Sequence, residues 1–170
     1  MKTLTKLFAL TVVTIGFSAN SFAQSTATGS TTAVLITPIS IAKTTDMNFG
    51  TVASSATAGT VVLDYVNGRT TTGGTSLPAG STTQTTAAFT VTGEGTSGFS
   101  ITIPTSPITL TGSVAGSMTV GTFVADLGTS SALVAGSKII KIKAILNVPA
   151  STVAGTYSNA TGLAVTVNYN

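Results

Sequence analysis

Short runs of apolar residues alternate with threonine or serine along most of the chain, and glycine, proline, serine and asparagine separate the runs. Successive side chains of a β-strand point to opposite faces of its sheet, so a two-residue period is typical of half-buried strands. The segment after the first 23 residues shows no helical period. The pattern predicts strands at residues 31–42, 47–53, 60–66, 85–92, 98–103, 107–112, 117–125, 137–148 and 161–169.

The longest predicted strand, residues 137–148, divides into one apolar and one polar face. Lys141 and Lys143 fall on the polar face. The apolar face comprises Ile140, Ile142, Ala144, Leu146 and Val148. Strands of this kind bury their apolar faces when two sheets pack together, so the fold class is predicted to be all-β with mainly antiparallel strands.

The stretch between residues 67 and 86 is long and rich in serine, threonine and glycine. A structureless loop of about 20 residues is uncommon inside a compact domain. Two interpretations follow: the stretch is mobile, or it contains a short edge strand.

The first 23 residues are predicted to form a secretory signal peptide. Two lysines precede an apolar stretch at residues 7–17, and Ser21-Phe22-Ala23 places small residues where a signal peptidase reads them. The protein is therefore expected to be exported to the periplasm and then to the cell surface or beyond. No later stretch reaches the roughly 18 consecutive apolar residues of a membrane helix, so the mature chain is expected to lack a membrane span.

The mature chain is expected to form one domain. Residues 24–32 are polar and form a predicted N-terminal tail, and residues 33–170 form the predicted sandwich domain. A chain of about 150 residues buries enough surface to fold around one core. With no cysteine in the sequence, that core has to hold without disulfides.

Composition argues against an enzyme. Charged residues make up 6% of the chain, and histidine and cysteine are absent. Catalytic triads and zinc sites therefore lack their usual residues. The acids are scattered without a calcium-loop spacing, and a glycosidase-like pair among them would lack tryptophan platforms. The four acidic residues are Asp46, Asp64, Glu94 and Asp126. We expect no catalytic site, metal site or cofactor.

Two further patterns are interpreted as structural. Residues 93–98 read Gly-Glu-Gly-Thr-Ser-Gly and match a dinucleotide-binding pattern, but a strand follows them where a helix is required. This segment is predicted to be a hairpin turn. Lys138, Lys141 and Lys143 lack interleaved aromatic residues, so they favour protection of a sheet edge over nucleic-acid binding.

Several motifs resemble a known family. They are Met47-Asn48-Phe49-Gly50-Thr51-Val52, residues 89–93 (FTVTG), residues 98–104 (GFSITIP), residues 154–157 (AGTY) and residues 165–169 (VTVNY). With these motifs, nearly all of the mature chain resembles the bacterial secreted family called domain of unknown function 4402. The second strand and the C-terminal third are more loosely similar to spore-coat-U-type subunits of archaic chaperone–usher pili.

The resemblance implies an immunoglobulin-like β-sandwich. In pilins this sandwich is incomplete, and the N-terminal segment of a neighbouring subunit fills its groove by strand addition. The candidate donor residues are Ala33, Leu35, Ile39 and Ile41. The candidate acceptor and chaperone-recognition strand carries Leu163, Val165, Val167 and Tyr169. The partners implied are copies of the chain or related fibre subunits, together with a periplasmic chaperone and an usher.

Two features depart from the pilin pattern. Pilins of this type usually carry a disulfide, which this chain cannot form. Residues 33–41 also lead almost directly into Met47, so they are either a donor strand or the first strand of the domain itself. The leading hypothesis is a non-enzymatic structural subunit of a pilus-like surface fibre. The alternative is a self-complete, monomeric extracellular binding or adhesion module.

Overall fold

The computed structural model describes residues 24–80 and 83–170, so the predicted signal peptide lies outside the described residues. The described residues divide between an N-terminal segment that ends at Leu35 and a compact unit from Ile36 to Asn170. The N-terminal segment contains no strand, and its side chains are exposed. Within the described part of the chain, no helix is long and apolar enough to cross a membrane.

The compact unit consists of antiparallel strands, which confirms the predicted all-β class. The strands are β1 (Ser40–Thr45), β2 (Gly59–Leu63), β3 (Arg69–Gly73), β4 (Ala87–Thr92), β5 (Gly98–Thr102), β6 (Ile108–Gly112), β7 (Ser117–Ala125), β8 (Ser130–Ala132), β9 (Ser137–Val148), β10 (Tyr157–Ser158) and β11 (Thr166–Tyr169).

Strand β9 is the centre of an eight-stranded sheet. The main path of this sheet is β1-β4-β9-β7-β6-β10, and β2 pairs with both β9 and β3. The N-terminal half of β9 pairs with β4, its C-terminal half pairs with β2, and β7 lies along its other edge. Strand β9 has 12 residues, so it is long enough for β4 and β2 to pair one after the other along the same edge. A second, three-stranded sheet has the order β11-β5-β8.

One hydrophobic core joins the two sheets. The five residues of the predicted apolar face of β9 are all buried, as are Val61 and Leu63 of β2. Phe99 and Ile101 of β5 and Val167 of β11 belong to the same core. The outer face of the large sheet carries hydroxyl groups instead, and a bond of 2.7 Å joins the Oγ1 atoms of Thr60 and Thr72 across β2 and β3.

Most predicted strands are confirmed, and β7 and β9 coincide with their predicted ranges. The strand predicted at residues 31–42 is wrong up to residue 39, because β1 begins only at Ser40. The edge-strand interpretation of residues 67–86 is confirmed by β3. The strand predicted at residues 47–53 is wrong. The Asn48 side chain accepts a hydrogen bond from the Gly50 amide at 2.8 Å, and Gly50 has a φ of 66°. This local turn breaks the extended backbone and leaves isolated bridges in place of a strand.

The turn at residues 93–98 is confirmed, but the predicted hairpin is not. Ser97 N donates to Glu94 O at 3.0 Å, as in a tight turn. The strands on either side, β4 and β5, belong to different sheets. The turn therefore carries the chain from one sheet to the other. Side chains of both strands contribute to the shared core.

Candidate functional site

A groove with an apolar floor and a volume of about 1160 Å³ lies on the inner face of the large sheet. Its floor comes from β4, β9, β7 and β6. The floor residues are Ala87, Phe89, Leu146, Val148, Met118, Val120, Ile108 and Leu110. The alternation of these strands explains this floor, since each strand directs every second side chain inward. The three-stranded sheet packs on another part of the same face, through Phe99, Ile101 and Val167.

The walls of the groove are segments with little regular structure. One wall is residues 45–54, and the other is residues 152–163, which include the two-residue strand β10. One main-chain bond joins the residues next to the two walls at one end, where Ser151 N donates to Ser55 O at 2.7 Å. The Arg69 guanidinium donates to the carbonyl oxygens of Phe49 and Thr51 and fixes the first wall. Hydrogen bonds therefore hold both walls of the groove in place, although neither wall is part of a long strand.

Strand β6 leaves part of its outer edge without a strand partner. The short strand β10 pairs only with Gly112 and Thr111. Further along β6, the Asn159 side chain donates to Thr109 O at 2.8 Å, where a neighbouring strand would otherwise bond. Unpaired strand edges are sites at which another extended segment can add. The groove thus combines apolar pockets with an incomplete sheet edge.

The structure divides the candidate donor residues into two groups. Ala33 and Leu35 are exposed and outside any strand, and the Leu35 side chain is 100% exposed. Ile39 packs against the core, and Ile41 lies in β1, where it pairs with Val91. Strand β1 begins only at Ser40, just after Pro38, which has no N–H to donate to a sheet.

The candidate acceptor residues are also divided. Leu163 lines the groove. Val167 is buried in β11, where it pairs with Ile101, and Val165 packs against the same core. The last strand is therefore paired with β5 on one side and lies at the edge of its own sheet.

Tyr169 takes part in a second constellation, away from the groove. Its hydroxyl donates to Thr37 O at 2.7 Å and accepts a bond from Glu94 N at 2.6 Å. The Glu94 carboxylate accepts a bond from Thr37 N at 3.0 Å. Both main-chain groups of Thr37 are therefore bound, one by each side chain. The sequence pattern marked Tyr169 but gave no sign of Thr37, because their contact spans 132 residues.

Gly93 provides the space for this constellation. A Cβ at Gly93 would lie 2.3 Å from the Tyr169 hydroxyl and 3.1 Å from Leu133 Cδ1. Gly93 N also donates to Gly136 O, and Gly136 N donates to Gly95 O at 2.7 Å. These bonds tie the turn that carries Glu94 to the turn before β9.

The bond from Thr37 predicts a pH dependence. Hydrogen bonding by Thr37 lowers the pKa of Glu94 from its ordinary value of 4.5. A lowered pKa in the folded state means that the bond contributes above the ordinary pKa and is lost as the pH falls through the lowered value. We expect the Thr37 amide proton shift, followed by NMR, to titrate with a midpoint below 4.5. Glu94→Gln should abolish this titration, and a midpoint at or above the ordinary value would contradict the assigned bond.

The described residues bring together no group of three or more acidic side chains that could hold a metal ion. The Asp64 carboxylate accepts bonds from the amides of Val66 and Gly68, and Asp126 accepts one from Lys141 N. Asp46 pairs with Lys43 on the surface. Each acid thus stabilises a local turn or a strand end. The groove offers a ligand an apolar floor, and polar and charged side chains such as Lys43 and Asp46 are also part of its lining.

Comparison with known proteins gives one family match. A family model described as a domain of unknown function, DUF4402, matches residues 39–169. No curated protein and no solved structure matches the chain. The match begins at Ile39, so the exposed residues of the N-terminal segment lie outside it.

Proposed function

We propose that this chain, which belongs to the DUF4402 family, is an exported, non-enzymatic subunit that assembles with copies of itself by strand addition. The N-terminal apolar residues of one copy occupy the groove of another. The observation that carries the proposal is the pairing of an open apolar groove with an exposed apolar run in the same chain. In an immunoglobulin-like sandwich, a segment added in the groove would cover the part of the large sheet's inner face that lines the groove.

The exposed apolar run consists of residues 33–36, Ala-Val-Leu-Ile. Val34 is 84% exposed, and Leu35 is fully exposed. Burying a side chain of this size contributes about 1.5–3 kcal/mol, so consecutive apolar residues left in water favour a partner. The run carries no charge, and the groove floor is apolar, so the two surfaces match in chemistry.

Reach favours a second copy as that partner. Ser40, Thr92 and Ser137 lie in one row of the sheet, and Leu146 in the groove floor is nine residues farther along β9. At about 3.3 Å per residue, this separation is about 30 Å. Ala33 is four residues from the anchored Thr37, so it extends at most about 14 Å from that point. The run therefore cannot reach the centre of its own groove.

A peptide tests the groove directly. We expect a fluorescent peptide with the sequence of residues 29–38 to bind the full chain carrying Leu35→Asp, whose own run is disabled while its groove is intact. The same peptide with Leu35→Asp is the matched control, and it should bind at least about tenfold more weakly, because burying a carboxylate costs more than a leucine gains. Fluorescence anisotropy measures both affinities. Equal binding of the two peptides, or binding of neither, would contradict strand addition.

The self-complete binding module remains the second candidate. The observation that favours it is that Ile39 and Ile41 belong to the domain, which shortens the free apolar run to four residues. Such a module would remain monomeric at every concentration. Sedimentation of the unmodified chain over a hundredfold concentration range separates the two candidates.

A further inference from the structure

We infer that Glu94 and Tyr169 act as a clamp on Thr37 that decides how much of the N-terminal apolar run is free and how much stays in the domain. Apolar residues occur on both sides of Thr37: residues 33–36 are exposed, whereas Ile39 and Ile41 pack against the core. The inference deepens the proposed function, because only in an assembling subunit does the free part have a partner.

The geometry places the clamp at the boundary between the two parts. Thr37 N bonds Glu94 Oε2 at 3.0 Å, and Thr37 O bonds the Tyr169 hydroxyl at 2.7 Å. The next residue is Pro38, which favours an extended backbone at Thr37 and donates no bond itself. Thr37 is therefore the first position of the compact unit at which side chains hold both main-chain groups.

The ladder between β1 and β4 stops at Ser40, three residues after Thr37. Ser40 pairs with Thr92 at the end of β4, so a longer β1 would bring Ile39 opposite Gly93 and Pro38 opposite Glu94. Gly93 N still bonds Gly136 O on the β9 side, and the chain then enters the turn in which Ser97 N donates to Glu94 O. Glu94 and Tyr169 thus supply side-chain bonds where the ladder is missing, and they hold Thr37 three residues before β1 begins.

Because the clamp resists fraying from the free end, its loss should let the chain open past Thr37 into β1. The free run would then gain Ile39 and Ile41, which continue its apolar character. Glu94 and Tyr169 are positioning residues in this scheme. They touch the segment before it leaves the domain and need not touch the partner.

Hydrogen exchange followed by mass spectrometry tests the clamp. The full chain carries Leu35→Asp throughout, so that assembly does not affect the reading. We expect Tyr169→Phe and Glu94→Ala each to lower the protection of residues 37–45 by about threefold to tenfold, as for the loss of one hydrogen bond. Protection of β9 should be unchanged.

Tyr157→Phe is the matched control. The Tyr157 hydroxyl also donates to a main-chain oxygen, that of Val153 at 2.7 Å, but it lies on β10. This control should leave residues 37–45 unaffected. Unchanged protection in the Tyr169 and Glu94 variants would overturn the clamp, and so would an equal loss across all strands or in the control. The peptide experiment tests strand addition, and hydrogen exchange tests the clamp. A peptide that does not bind the groove would therefore contradict the proposed function without changing the hydrogen-exchange result.

Discussion

Replacing Leu35 by aspartate will turn an assembling chain into a monomer. The Leu35 side chain is fully exposed in the isolated chain, so the folded unit loses nothing when it changes. In the groove of another copy, the same position would be buried. Removing the leucine costs about 1.5–3 kcal/mol of association, which is a tenfold to hundredfold weakening, and the buried carboxylate adds to it. Sedimentation velocity measures the size distribution.

Ser30→Asp is the control for this prediction. Ser30 is also exposed and outside any strand, but it lies in the polar part of the N-terminal segment. It adds the same charge without removing an apolar side chain, so assembly should persist. If both variants assemble like the parent chain, residues 33–36 do not form the interface.

Ile142→Ala will cause the largest loss of folding stability among single truncations in β9. Ile142 is 0% exposed and occupies the middle of the central strand, where it pairs with Ala87 of β4 and Ala125 of β7. Neighbours on both edges of β9 prevent the site from collapsing around the cavity. Truncating a buried isoleucine costs about 2–5 kcal/mol. Urea denaturation measures the free energy of unfolding. It can be followed by circular dichroism or by tyrosine fluorescence, since the chain contains no tryptophan.

Ile139→Ala on the same strand is the control, since this side chain points outward and is 54% exposed. It should change the free energy of unfolding by less than about 1 kcal/mol. Comparable losses for the two variants would mean that the inward and outward faces of β9 have been assigned wrongly.

The sequence predicted well wherever alternation alone decides the structure. The apolar face of β9 was readable from Ile140 to Val148, because burial on one face forces a strict period of two. It predicted poorly where side chains bond to the backbone. The turn at Asn48 and Gly50 removed a predicted strand, and the short strands β8 and β10 are too brief to show a period.

The candidate site was only partly predictable, for a different physical reason. The apolar character of residues 33–41 was visible, but its division at Thr37 depends on contacts with Glu94 and Tyr169, which are distant in sequence. The groove could not be predicted from any one segment, because its floor comes from four strands and its walls from two loops.

Engineered cysteines test the central claim most directly, since the chain has none of its own. Leu35→Cys places one thiol in the exposed apolar run, and Leu110→Cys places another in the groove floor on β6. Under mild oxidation, a mixture of the two single variants should give a covalent dimer that joins one variant to the other, beyond the dimers that each variant forms alone, and the double variant should give a ladder of multimers on a reducing-agent-free gel. A double variant that closes only on itself, or a mixture that gives no dimer beyond those of the separate variants, would contradict strand addition between copies.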